Sequence, residues 1–378
     1  MLPRFSVPKY TPRAHILFLF SDVNASPMLL QIVQSVQQSE YLFKVVIIGE
    51  KDLQICEGLR QLGIELTLIS KKSKYGLFYM LASVMRQMLF SRPSTILASG
   101  QYATILGMLS AYVLRVRRRI FIRHHSNFHT KNKLRFGIFA DFVANYLASE
   151  IVAVSEVVKE ILINAEGVNP AKVTLIHNGI DTERFSRVEF LRQKPIFFNY
   201  DEINIGVVSR MTGWKGVQYT VDAFIMLHSR FPNSHLSLVG APADSYKLIK
   251  DKLATLDPSA YSITIWHPDI LGFLQELDLF VHAPIGPQDE AFGLVYIEAL
   301  ASRVPSIFTI SGVLNELTNP EKYAQIVPYE DSMAIFTAMV EILECAVPNR
   351  ESLPHEWLQQ YSLTTMGKRY MDLIIGKK

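Results

Sequence analysis

The chain has 378 residues, 49% of them hydrophobic, and carries 38 Lys and Arg against 35 Asp and Glu for a formal net charge of +3. That length exceeds one ordinary core and points to two domains of about 150–200 residues, and the hydrophobic content excludes a disordered chain. Two cysteines, Cys56 and Cys345, are too few and too far apart for a disulfide framework or a thiolate metal site, which favours a reducing compartment.

Residues 1–13, with three prolines, read as a loose arm without the long apolar core of a signal peptide. His15–Phe20 is a short continuous apolar run, the pattern of a buried parallel strand. The loop Ser21–Pro27 follows, then a helix over Met28–Gln38, a strand at Lys44–Gly49, a helix over Leu53–Leu62 and a strand at Glu65–Ile69. Helices over Leu77–Phe90 and Ala103–Leu114 flank a strand at Thr95–Ala98. Arg119–Ile122 is a strand, followed by a polar loop and a helix through Ile138–Leu147, and Ile151–Val154 and Val173–Ile176 close the series. The longest apolar run, Tyr102–Leu114, is shorter than the roughly 20 residues a membrane span needs.

Ser186–Asp201 breaks the rhythm and reads as a linker. Strand and helix then alternate again from Ile205–Val208 through Gly216–His228, Ser234–Val239, Asp244–Thr255, Ser262–Trp266, Leu279–His282 and Ser306–Thr309, with a last helix near Thr364–Ile375. Such alternation predicts α/β architecture, with doubly wound parallel sheets in two domains. The expected division is 1–190 and 200–358, the helix within 360–378 packing back on the first domain. Ligands in such sheets bind at the carboxyl ends of strands. No G-x-G-x-x-G follows any strand, which disfavours a dinucleotide oxidoreductase.

Charge is lopsided: residues 1–200 hold 25 Lys and Arg against 14 acids, residues 201–378 hold 13 against 21. The basic half suits anionic phospholipid or a pyrophosphate ligand. Arg115, Arg117, Arg118 and Arg119, with the helix Leu77–Phe90 behind Lys71, Lys72 and Lys74, are either an ordinary core helix with a solvated basic end or a contact for an anionic bilayer, the former being the simpler reading. Nucleic acid is disfavoured, because basic and aromatic residues do not interleave as stacking platforms.

Four stretches carry candidate chemistry. Asp289–Pro305 places Glu290 and Glu298 eight apart around Gly293; in one helix they would lie about 12 Å apart and about 80° around the axis. The better reading puts Glu290 on a loop and Glu298 two turns into a helix whose N-terminus, near Phe292, Gly293 and Leu294, aims bare N–H groups at an anion. Ser209-Arg210 and Lys215-Gly216 follow a strand and set two cations at a sheet edge, suited to a diphosphate. Arg123-His124-His125-Ser126, with His129 nearby, ends another strand; no acidic residue follows closely, so a hydrogen-bonding histidine outweighs a metal ligand. His177-Asn178-Gly179 is either a tight turn or a ligand contact through Asn178.

Taken together, RHHS (123–126), IVAVSEVVKEIL (151–162), HNGID (177–181), SR…KG (209–216) and EAFGLVYIEALAS (290–302) resemble retaining glycosyltransferases of the GT-B fold, family 4, over roughly residues 15–375. The resemblance implies two Rossmann-like domains facing across a cleft and transfer of a sugar from a UDP- or GDP-sugar to a glycan or lipid-linked acceptor. It points to bacterial surface-polysaccharide synthesis, in the cytoplasm or at the cytoplasmic face of the inner membrane. It implies no cofactor and no metal. Glu290 would contact the donor sugar, Glu298 the ribose, Arg210 and Lys215 the diphosphate with the amides of Phe292, Gly293 and Leu294, and His125 (or His124) the transferred sugar. A non-catalytic scaffold of the same fold, binding a nucleotide or an assembly partner, is the alternative; the intact Arg210, Lys215, Glu290 and Glu298 argue against it. The chain departs from the family pattern at Asp22–Ser26, where a glycine-rich turn is usual, at Arg303 in place of a glycine, and at Trp266-His267-Pro268.

Overall fold

The computed structural model describes residues 15–21, 23, 26–50, 53–71, 76–186, 202–344 and 353–377. The expected N-terminal arm, most of the loop after the first strand and the linker after Ser186 lie outside these residues.

The first lobe runs β1 (His15–Ser21), α1 (Pro27–Gln37), β2 (Leu42–Ile48), α2 (Gln54–Gln61), β3 (Leu66–Ile69), α3 (Gly76–Ser91), β4 (Thr95–Ser99), α4 (Gln101–Val113), β5 (Arg118–Arg123), α5 (Phe128–Lys131), α6 (Arg135–Leu147), β6 (Glu150–Ala153), α7 (Glu156–Glu160), β7 (Val173–Leu175) and α8 (Thr182–Ser186). Its seven strands are ordered β3-β2-β1-β4-β5-β6-β7, and every described pairing is parallel. Ile16–Phe20 of β1 is buried on both faces, which is why that stretch shows no polar alternation. Ser26 caps α1 through the Leu29 N–H at 3.2 Å, with Pro27 at the first helical position, where no N–H is needed.

The second lobe runs β8 (Ile203–Val208), α9 (Val217–Arg230), β9 (Ser234–Val239), α10 (Tyr246–Leu253), β10 (Tyr261–Thr264), α11 (Ile270–Glu276), β11 (Leu279–His282), α12 (Leu294–Ser302), β12 (Ser306–Phe308), β13 (Gln325–Ile326) and α13 (Ser332–Glu344). Its six parallel strands are ordered β10-β9-β8-β11-β12-β13. Two doubly wound sheets are therefore present. After α14 (His355–Gln359) the chain returns to the first lobe, where α15 (Leu363–Ile375) packs along α1 and Ile180 bridges to Ser362. No helix among the described residues is long and apolar enough to cross a membrane.

The lobes touch through a loop of the second. Ser126 Oγ donates to the Gln288 carbonyl at 2.6 Å, Lys131 pairs with Asp289, and Ser155 Oγ donates to the Ala291 carbonyl. Nearby, Glu316 accepts from the Glu156 N–H at 2.8 Å and meets His177 Nε2 at 2.7 Å. The loop around Glu290 is thus held from both sides.

Candidate active site

A cavity of about 840 Å³ opens between the carboxyl ends of β4 and β5 in one lobe and β8 and β11 in the other. Glu290, His124, His125, Asn178, Arg210, Lys215, Phe292, Gly293 and Leu294 all line it. Residues scattered across 170 positions of chain converge because the strands that carry them end at the two facing sheet edges.

Glu290 is the hub of the second-lobe wall. Its carboxylate pairs with Lys215 and accepts from His282 Nε2 at 2.8 Å, while its own N–H donates to Ser311 Oγ at 3.0 Å. Burial pushes this carboxyl up, but the Lys215 ammonium and His282 overcome it and hold it at about 2. His282 is pushed down by burial, with Lys215 adding to that, so the ring is neutral at pH 7 despite facing Glu290. Its edge meets the Tyr296 ring at 4.8 Å, and Tyr296 in turn donates to the Thr309 carbonyl.

Lys215 reaches this place because of its neighbour. Gly216 adopts φ 68° at the start of α9, and a Cβ there would stand 1.8 Å from the Ala283 carbonyl oxygen. Only glycine allows the turn to pass β11 so closely. Lys215 and Glu290, both on the cavity wall, are paired with each other. Arg210 differs. It is exposed on the cavity wall, and its guanidinium has no hydrogen bond or ion pair with any described residue.

Gly293, at φ 82°, caps α12 with no side-chain hydrogen bond, and Phe292, Gly293 and Leu294 at this helix start line the cavity. The helix starts at Leu294, so Glu298 sits little more than one turn inside it, not two. Glu298 does not line the cavity. It is half-buried with no described partner, and burial pushes its carboxyl up to about 7. Arg303 holds the left-handed conformation (φ 58°) that ends α12, the backbone state that favours the glycine it replaces. Trp266 is 54% exposed on the loop after β10.

The first-lobe wall carries the histidines. His124 opens onto the cleft, with Nε2 3.0 Å from Ser99 Oγ; enclosure and the neighbouring His125 hold it at about 4. His125 Nε2 lies 3.2 Å and His129 Nδ1 2.7 Å from one oxygen of Asp141, and Arg123 Nη1 lies 3.3 Å from the other. No acidic residue follows these histidines closely in the chain, but folding brings Asp141 of α6 to both. Burial lowers His125, opposed by its hydrogen bond to Asp141. Asp141, despite burial, is held below the usual carboxylate range by His125 and Arg123. The ligating atoms of His125, His129 and Asp141 lie within 4.8 Å of one another, close enough for an ion, yet Arg123 already places a cation on the same carboxylate. Asn178 is buried on the cavity wall, whereas its neighbour His177 is committed to Glu316.

Sequence reasoning missed His282 and Asp141. Both left a signal: His282 ends an otherwise apolar strand at its carboxyl edge, and Asp141 is the single carboxylate in a largely apolar helix. The proposed bilayer cations fare differently. Arg118 pairs with Glu150 and donates to the Leu373 carbonyl at 2.6 Å, and Arg119 donates to the Leu147 and Val116 carbonyls. Both hold the fold together, leaving Arg115 and Arg117 exposed.

A model described as Glycosyltransferase Family 4 matches residues 64–184, and one described as Glycosyl transferases group 1 matches residues 202–345. The chain is 26% identical over 266 residues to the capsular polysaccharide biosynthesis glycosyltransferase CapM of Staphylococcus aureus, covering 67% of this chain and 69% of CapM. It is 26% identical over 216 residues to alpha-monoglucosyldiacylglycerol synthase of Acholeplasma laidlawii, spanning about half of each (53%). Among solved structures, Anabaena HepE in complex with UDP-glucose superposes with a TM-score of 0.76 at 20% identity over 95% of this chain and 99% of that one, a likeness of fold.

Proposed function

The chain belongs to the glycosyltransferases that join a family 4 domain to a group 1 domain in a GT-B fold, and from that premise we propose that it is a retaining enzyme. In this reading it moves a sugar from a UDP- or GDP-sugar to a glycan or lipid-linked acceptor in bacterial surface-polysaccharide synthesis, at the cytoplasmic side of the membrane. The observation that carries the proposal is the cavity wall itself: an unpaired guanidinium (Arg210), a buried Lys215–Glu290 pair and the open N-terminus of α12 share one hollow.

Each part has a task in that reaction. Arg210 and the amides of α12 take the diphosphate, with Lys215 shared between it and Glu290, and offset the charge that grows as the sugar C1–O bond breaks. Positive charge from the chain's own residues removes the need for a metal. Glu290, on the cavity wall, orients the donor sugar. The acceptor oxygen bonds C1 on the face the diphosphate leaves, and its proton passes to the departing phosphate oxygen, so configuration is kept without a separate base. His125 and His124, both neutral, hydrogen-bond the transferred sugar from the opposite lobe.

Thermal-shift titration with UDP, GDP and ADP identifies the base, and the anomeric configuration of product made from the matching nucleotide sugar tests retention. Arg210→Ala is expected to lower kcat/KM by about 10²–10³ with the fold intact. Full turnover in that variant, or an inverted product, would overturn the proposal. Tight nucleotide binding with no turnover of any sugar donor would instead favour the scaffold reading.

A further inference from the structure

We propose that the outer face of α6, continued across α4 onto α3, is the surface by which this protein docks on an anionic phospholipid bilayer. The composition of α6 is turned inside out for a water-facing helix. Its inner face is made of Gly137, Ala140 and Ala144, all buried, while Phe136, Phe139, Phe142 and Tyr146 stand 71%, 63%, 65% and 70% exposed. These four recur at spacings of three and four, which sets them on one side of the helix. On α3, Phe78 and Phe90 are 83% and 75% exposed, and α4 packs against both α3 and α6. A monomer that kept this face in water would expose four aromatic rings on one side of a single helix, more than single scattered side chains explain.

Charge decides what covers it. From Ser70 to Ser149 the sequence holds thirteen Lys and Arg and a single carboxylate, Asp141, which lines the cavity on the inner side of α6. Arg86, Arg92, Arg115, Arg117, Lys133 and Arg135 are exposed around the aromatic face. Aromatic rings in a field of positive charge with no exposed acid between them match the boundary of an anionic leaflet, whereas a second copy would bring the same positive charge onto itself.

The placement also bears on the acceptor, and this part rests on the glycosyltransferase reading. α4 and α6 line the cavity through Thr104, Ile105, Ala140, Asp141 and Ala144 on their inner sides. One helix layer therefore separates the bilayer from the cleft, and an acceptor anchored by a lipid has its sugar delivered at the first-lobe wall beside His125.

The test uses the whole protein and vesicles of phosphatidylcholine with or without 40% phosphatidylglycerol, in flotation without any nucleotide. Retention is expected to be at least tenfold higher on the anionic vesicles at low salt and to fall steeply with added salt. The double variant Phe139→Ser/Phe142→Ser is expected to lose at least tenfold of that retention while its thermal shift with the best nucleotide stays unchanged. Because both side chains are exposed, the fold is expected to survive, and circular dichroism checks it. Equal retention on neutral and anionic vesicles, or full retention by the double variant, would overturn the proposal. So would a stable dimer in light scattering that the same variant dissociates, since a second copy would then own the face. Failure of the nucleotide shift in the wild type would count against the enzymatic reading alone and leave the docking result standing.

Discussion

Replacing Glu298 by glutamine isolates what one carboxyl enclosed among apolar neighbours does to stability. Glu298 sits between Ile297 and Ala299, both buried, with no described partner, and burial pushes its carboxyl from about 4.5 to about 7. A carboxyl raised in the folded state keeps its proton to higher pH there than in the unfolded chain, so stability falls as pH rises between the two values and is flat above them. At 1.36 kcal/mol per pH unit the full loss is about 3 kcal/mol at pH 8, and about 1 kcal/mol of it is already present at pH 5. Glu298→Gln has no such slope. Urea unfolding of both proteins at pH 5 and pH 8 should therefore show the variant gaining on the wild type by about 2 kcal/mol between the two conditions. An offset between the proteins that is identical at both pH values would refute the reasoning, since it would mean the carboxyl titrates alike folded and unfolded.

The Lys215–Glu290 pair predicts strong coupling: Lys215→Met and Glu290→Gln should each cost about 3–5 kcal/mol, with the double variant far less destabilised than the sum, as a double-mutant cycle in urea would show. Because Glu290 is held near 2, its contribution is present above pH 4.5 and lost as pH falls toward 2; acid unfolding of Glu290→Gln should lack that component. Gly216→Ala should destabilise by more than about 1 kcal/mol and abolish turnover, through the left-handed turn and the clash with the Ala283 carbonyl; wild-type stability in urea would contradict the geometry. Asp141→Asn removes the charge that raises His125, so the His125 resonance in an NMR titration should move to lower pH, and an unmoved titration would show that the 3.2 Å contact does not matter.

Much of the scaffold could be read from the chain before folding. Apolar runs such as Ile16–Phe20 and Val45–Ile48 are strands because a parallel sheet covered on both faces favours apolar side chains along the whole strand, and their alternation with helices left few other architectures. The short helix at Glu156–Glu160 and strand β13 were not legible, since two to five residues carry too little periodicity. Within the site, the residue types were legible and their pairings were not. Arg210 and Lys215 look alike in sequence, five apart after one strand; folding leaves the first free and ties the second to Glu290, seventy-five residues on.

The deeper division follows from what each level of structure controls. Local sequence determined which backbone positions end strands, start helices and pass through left-handed turns, because φ/ψ preference and burial pattern act over a few residues. Only the tertiary structure decided that Asp141 meets His125 and His129, that Arg118 and Arg119 serve the core while the aromatic rings of α6 face outward, and that the Glu290 loop is gripped by Ser126 and Ser155 of the other lobe. Those contacts join residues 12 to 255 positions apart. They depend on where sheets and helices come to rest against each other, which no window of the sequence encodes.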